Sequence, residues 1–303
     1  MSENQAVAKN VKFSQNAKPF QNAKMPANDQ PLLKNAKHTK YANKPFLTEV
    51  YTTSQNVTRE AARRGHRVGD PLSLETGWNF LIPSHREQAL QKIKTEKPYC
   101  VVLAFPCGPF SPLQRLNQKH PERLAARREE GRVLMEFALE VARLQMSAGR
   151  HCILENPRPS EEWIEPLMQK FLEEMEIYVS NFDQCQFNLR SLEGMFHKKP
   201  TRVASSSSKV CQELHGWICK RDHVHAPVIG GTRGTAHAGI YPKPLACAMV
   251  RGLEKQFESD FACREVFALD AGEDAEEELA FEGAGFSNLR GDDDGSDVDE
   301  PEE

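Results

Sequence analysis

The chain has 303 residues, yet none of its apolar runs is long enough to cross a bilayer, which takes about 20 residues of helix. Its first residues lack the apolar stretch that a secretory signal carries. No Cys-x-x-Cys pair occurs. The eight cysteines (100, 107, 152, 185, 211, 219, 247 and 263) are scattered, several of them within strand-like apolar runs. That spacing argues against a disulfide framework and for free thiols in a reducing compartment. These absences predict an intracellular protein, nuclear or cytoplasmic, with no membrane partner.

Large apolar residues are also scarce at both ends. Residues 1–45 hold eight Lys against two acidic residues and repeat Asn-Ala-Lys from Asn16, Asn22 and Asn35. Residues 270–303 hold fifteen Asp and Glu against one Arg. Neither segment can bury enough surface to offset its chain entropy, so both read as disordered tails. The basic arm suits either contact with nucleic acid or a solvated linker left from a longer polypeptide. The acidic tail either competes for a basic core or keeps the chain soluble. The overall charge of −4 therefore covers a mildly basic core between two tails of opposite sign.

Between the tails, residues 46–269 alternate strand and helix. Strand character marks 47–51, 67–70, 99–104, 151–155 and 177–179, and helical spacing marks 55–64, 84–94, 122–148, 163–175 and 244–257. Such alternation predicts a doubly wound α/β domain on a mostly parallel sheet with right-handed crossovers. The pattern breaks up over 183–235, which reads as an irregular insertion, with Ser205-Ser206-Ser207-Ser208 as a mobile loop. A β-rich C-terminal subdomain is the alternative.

Two strand ends concentrate the chemistry. The unbroken apolar run Tyr99-Cys100-Val101-Val102-Leu103-Ala104 leads into Phe105-Pro106-Cys107-Gly108-Pro109-Phe110-Ser111, and His151-Cys152-Ile153-Leu154 leads into Glu155-Asn156-Pro157. Ligands of open α/β sheets bind at the carboxyl ends of strands. A thiol and a carboxylate placed there suit attack on a heteroaromatic ring. The thiolate adds to C6 of cytosine and makes C5 nucleophilic, a carboxyl group holds the ring nitrogen and exocyclic amine, and a cation supports the developing charge. A base reaches such a pocket only by leaving the helical stack.

In these residues the chain resembles the DNA cytosine-C5 methyltransferases, and most of all a divergent branch seen in phages and retroelement-like polyproteins. Pro106-Cys107 with Pro109-Phe110-Ser111 is similar to the family's nucleophile loop, and Glu155-Asn156-Pro157 to its Glu-Asn-Val/Pro motif. Lys199-Pro200-Thr201-Arg202-Val203 is similar to the Lys-x-Thr-Arg segment, and Tyr241-Pro242-x-Pro244-Leu245 to the start of the C-terminal helix. The resemblance spans residues 46–257 in consistent order. It implies a Rossmann-like, S-adenosylmethionine-dependent enzyme acting on cytosine in DNA, with RNA an open alternative substrate. Cys107 would be the nucleophile, Glu155 the partner of N3 and N4, Arg202 the cationic clamp and Ser111 a support of the loop. Cofactor contacts would come from Thr52, Thr53, Asp70, Asn79, Phe105 and Pro106.

The chain departs from that pattern on the cofactor side. Tyr51-Thr52-Thr53-Ser54-Gln55-Asn56 stands where the family has a Phe-x-Gly-x-Gly turn, and it contains no glycine. Phe105 replaces a proline beside the thiol, and Asn79 stands where an Asp is usual. An inactive methyltransferase fold that binds nucleic acid, or an interaction module with no nucleic-acid role, are the alternatives. No separate target-recognition domain is visible between Arg202 and Tyr241. Within the insertion, Cys219, His223 and His225 have spacing that suits a structural zinc ion, with a fourth ligand from Cys185, Cys211 or His215. The plain alternative is a pair of loop histidines that pack or meet solvent.

Overall fold

The structure is a computed structural model that describes residues 43–117, 120–228 and 231–270. The predicted basic arm up to residue 42 and the acidic tail beyond 270 lie outside the described residues. The compact unit that holds the sheet ends at Glu258.

The elements in chain order are β1 (Leu47–Val50), α1 (Asn56–Arg63), α2 (Pro83–Glu96), β2 (Cys100–Leu103), α3 (Pro121–Ser147), β3 (His151–Pro157), α4 (Pro166–Glu174), β4 (Tyr178–Asp183), β5 (Pro200–Ser205), α5 (Ser208–Leu214), α6 (Gly231–Gly239) and α7 (Lys243–Asp270). Short 3-10 turns fill several of the connections. Helix α4 is preceded by one such turn, Glu161–Ile164, because Pro166 opens a new helix where the sequence reads as a single one.

The strands form one five-stranded sheet in the order β1-β2-β3-β5-β4. The first three are parallel, and β5 lies antiparallel between β3 and β4. The fold is therefore α/β on a mixed sheet in which β5 alone runs against the other four strands, in keeping with the expected mostly parallel sheet; what changes is the reading of 183–235 as irregular. The insertion contains a central strand. Residues 67–70 make no full strand: only the isolated bridges Leu47–Val68 and Val50–Leu72 form, because Pro71 has no N–H to add to a ladder.

The serine run is likewise ordered. Ser205 ends β5, fully buried, and its hydroxyl donates to the Cys152 carbonyl at 2.7 Å. The Ser207 side chain caps α5 by accepting from the Val210 N–H at 3.2 Å. The predicted mobile loop is thus a strand end joined to a helix cap.

Strand side chains alternate between faces. The row Val50, Leu103, Leu154 and Ala204 packs into the main core with residues of α2, α3 and α4. The neighbouring row starts at Glu49, whose carboxylate accepts from the N–H and hydroxyl of Thr58 in α1 at 2.7 and 2.6 Å. On that side Arg64, just past α1, pairs with Glu254 of α7 at 2.9 Å. Helix α7 closes on α5 at Gly252, where a Cβ would lie 2.7 Å from the Val210 Cα. Two helical layers thus sandwich the sheet. Among the described residues, no helix is long and apolar enough to cross a membrane.

Candidate functional site

Strand β2 delivers Cys107 in a short turn that its neighbours hold rigidly. The Phe110 N–H donates to the Cys107 carbonyl at 3.0 Å, and the Gln114 side chain donates to the Gly108 carbonyl at 2.7 Å. Phe110 is fully buried against Gly131 of α3, where any Cβ would come within 2.6 Å of the ring. The Ser111 hydroxyl accepts from the Leu113 N–H at 3.3 Å, so it supports the loop from within. Burial pushes the Cys107 thiol up to about 12; the nearby Glu162 raises it further and Lys199 opposes the rise. The resting group is a thiol, unlike the lowered pKa of reactive cysteines.

Glu155 lies in β3, one strand over. One of its oxygens accepts the Tyr241 hydroxyl at 2.6 Å. The other is buried with no hydrogen-bond partner. The nearest cation to it is the Lys199 ammonium, 3.9 Å away, which is ion-pair distance but too long for a hydrogen bond. Asn156 beside it is buried with its amide nitrogen unpartnered. Native proteins satisfy nearly all buried polar groups, so the unpartnered Glu155 oxygen is open to a donor from a ligand, while the Asn156 side chain faces the other side of the sheet with Arg202.

These residues line one cleft of about 140 Å³, together with Thr52, Thr53, Ser54, Phe105 and Pro106. The Lys199 ammonium also sits 5.9 Å from the centre of the Tyr241 ring, and burial, with Glu155 beside it, holds that phenol well above its usual pKa. Glu162 is completely buried, and its burial raises it to about 9, with Glu155 and Glu165 adding to the rise and the Ser160 hydroxyl opposing it. It is therefore a neutral acid at pH 7.

The structure brings together Cys107, Glu155, Thr52, Thr53, Phe105 and Pro106. It leaves Arg202, Asp70 and Asn79 elsewhere. Arg202 pairs in register with Asn156, whereas Glu155 pairs with Val203, so Arg202 and Glu155 stand on opposite faces. Its guanidinium lies 5.4 Å from the Trp163 ring and donates to the Asn181 side chain at 3.1 Å. The cation that reaches the cleft is Lys199, held at φ 30. Asp70 is exposed and pairs with Lys92 at 3.1 Å. Asn79 closes its own turn by accepting from the Leu81 N–H at 3.0 Å.

The first strand end is filled with aromatic rings. Tyr51 packs edge-on against Phe80, Phe105 and Phe137, with ring centres 5.0, 6.4 and 6.3 Å away, and its hydroxyl donates to the Leu134 carbonyl at 2.7 Å. Tyr51 and Gln55 hold φ of 66 and 53, the left-handed conformation that glycine adopts most readily. The backbone thus takes a glycine-like path while its side chains occupy the space.

S-adenosylmethionine does not fit this arrangement. Ligand pockets span about 300–1,000 Å³, whereas the cleft is about 140 Å³ and excludes Asp70 and Asn79, the residues expected to hold the ribose and adenine of S-adenosylmethionine.

In the insertion, Cys219, His223 and His225 come together, and the fourth member is Cys185. Cys211 is elsewhere, donating to the Tyr178 carbonyl at 3.3 Å.

Neither protein-family models nor curated proteins yield a match to this chain. Lys199, Tyr241 and Asn156 were visible in the sequence only as neighbours within quoted motifs, and Glu162 carried no signal at all. Strand register and chain reversal bring Lys199, Tyr241 and Asn156 to the cleft lining, and Glu162 acts on Cys107 from the turn before α4.

Proposed function

We propose that the chain is a nucleic-acid-binding protein with a cytosine-C5-methyltransferase-like fold, one that receives an unstacked cytosine at the ends of β2 and β3 without transferring a methyl group. The observation that carries this reading is Glu155, with one oxygen held by Tyr241 and the other buried and unpartnered. Cytosine offers an exocyclic amine to that oxygen, and a ring-nitrogen or carbonyl acceptor to the Lys199 ammonium. Thymine and uracil present a carbonyl in place of the amine, which the carboxylate repels. The Tyr51 ring that fills the space beyond β1, and the exclusion of Asp70 and Asn79 from the cleft, support the absence of methyl transfer.

Fluorescence anisotropy of the full chain with single-stranded oligonucleotides tests this reading. A strand with one cytosine among thymines should bind at least about 10-fold tighter than the all-thymine strand, in line with the ~1–3 kcal/mol of a good base contact. Glu155→Gln should abolish that difference. Equal binding of both strands by the wild type overturns the base pocket, and no binding to DNA or RNA leaves an interaction module.

A second reading, methyl transfer from S-adenosylmethionine, is favoured by one observation: Cys107 lines the same cleft as Glu155 and Lys199. Saturable cofactor binding by calorimetry, followed by covalent trapping of Cys107 on DNA containing 5-fluorocytosine, would establish it. No heat at millimolar cofactor eliminates it.

A further inference from the structure

Away from the cleft, the segment between β4 and α6 gathers two thiols and two imidazoles. The sulfurs of Cys185 and Cys219 and one ring nitrogen each of His223 and His225 all lie within 4.8 Å of one another. Both cysteines are buried. The Cys219 sulfur is 3.8 Å from Nε2 of His223 and 3.4 Å from Nε2 of His225. Zinc–sulfur and zinc–nitrogen bonds of about 2.3 and 2.0–2.1 Å at tetrahedral angles place sulfur and nitrogen about 3.6 Å apart. The two measured distances straddle that value.

Hydrogen bonding alone does not account for this cluster. A thiol has one proton, so Cys219 donates to at most one of the two imidazoles aimed at it. The other nitrogen then meets a sulfur lone pair, or must spend its own proton on a weak acceptor. A cation at the centre resolves the conflict for all four atoms.

We propose that Cys185, Cys219, His223 and His225 hold one zinc ion as a structural centre. Two thiolates neutralise its charge, and two imidazoles complete a closed tetrahedron, a donor set that selects zinc over the oxygen-seeking cations. The surroundings are those of a metal site. Nδ1 of His223 lies 2.8 Å from the Asp222 carboxylate, which leaves Nε2 free for the metal. The Arg221 N–H donates to the Cys219 sulfur at 3.3 Å. The Asp183 carboxylate accepts the Cys219 N–H at 2.9 Å, tying the site to the end of β4.

The ion has a clear task. Residues 215–228 contain no helix or strand beyond the single bridge from His225 to Phe196. Such a segment cannot hold its place by its own core, and a metal supplies the missing folding energy. The staple reaches the cleft through Gln184, adjacent to Cys185. Its N–H donates to the Lys199 carbonyl at 3.2 Å, and its side chain donates to Thr201 at 3.0 Å. The metal thus fixes the backbone from which Lys199 extends, and this holds whatever the cleft binds.

The test uses the full chain purified without chelator, with metal content read by plasma mass spectrometry. One zinc per chain is expected. Replacement by cobalt should give the intense visible bands of a tetrahedral centre and near-ultraviolet charge transfer from two sulfurs. Cys185→Ser and Cys219→Ser should each lose the metal, and Cys211→Ser should keep it. The cobalt spectrum of the wild type decides the matter even where a variant fails to fold. A metal-free chain that also refuses added zinc, an octahedral cobalt spectrum, equal loss in Cys211→Ser, or a Cys185–Cys219 disulfide would each overturn the proposal.

Discussion

The ends of β1 and of β2–β3 lie side by side in one sheet, yet they are built to opposite plans. At β1, Tyr51 fills the space beyond the strand with a ring that is packed against three others and hydrogen-bonded at its tip. At β2 and β3 a cleft remains, and Glu155 lines it with one buried carboxylate oxygen that has no hydrogen-bond partner. The Tyr51 side chain is finished as core, while the loop after it, Thr52 to Ser54, still lines the cleft with the ends of β2 and β3. The contrast shows that one strand end can bury its aromatic side chain as core while the strands beside it keep a polar group unsatisfied.

Tyr51→Ala is the most direct way to break this contrast. Truncating a fully buried aromatic costs about 3–5 kcal/mol. Tyr51 is only partly buried, so a loss of about 3 kcal/mol is expected, measured by urea denaturation. If the ring alone excludes the cofactor, the variant should also gain measurable heat with S-adenosylmethionine where the wild type shows none.

Glu162→Gln sharpens the other side. The Glu162 pKa is raised above its unfolded value, so the neutral buried acid contributes stability that is fully present below about pH 4.5 and is lost progressively as pH rises to about 9. Glutamine carries no such dependence. The variant should therefore gain on the wild type as pH rises from 5 to 9, by about 4 kcal/mol at pH 8. Parallel denaturation curves at the two extremes would refute a buried neutral acid beside Cys107.

Gly131→Ala tests the rigidity of the thiol loop. The added methyl meets the Phe110 ring, which has no room to move. A net cost of about 1–2 kcal/mol is expected from overpacking, less the helix propensity that alanine recovers. Alkylation of Cys107 by iodoacetamide should quicken as the loop opens. An unchanged rate would mean that Phe110 does not hold the turn.

The smallest effect is expected at Asp70, the residue that a working cofactor site would need most. Its carboxylate is exposed and engages only Lys92. Asp70→Ala should shift stability by less than about 0.5 kcal/mol, as for most surface ion pairs, and should leave oligonucleotide binding unchanged. A large loss of either would return Asp70 to the site.

Much of this protein was legible in its sequence because its signals are local. Apolar runs marked β1, β2, β3 and β4, helical spacing marked α1 to α4 and α7, and the residues at the ends of β2 and β3 announced Cys107 and Glu155. Strand β5 escaped notice because Pro200 and a serine tail flank only a few strand-forming residues, and its place depends on partners on both sides. The choice of Lys199 over Arg202 escaped for a different reason. Residues three apart differ in face according to register and turn, and neither is written in a motif.

The sequence by itself determined which chemistry is present: a thiol and a carboxylate at strand ends, a glycine-free first loop, and a thiol–imidazole cluster one ligand short. Tertiary structure alone decided which of these groups meet. It placed Cys185 rather than Cys211 with Cys219, put Lys199 rather than Arg202 beside Glu155, and turned Tyr51 into core. The physical reason is that composition and spacing act along the chain, whereas side-chain parity across a sheet and distances between segments exist only once the register is set.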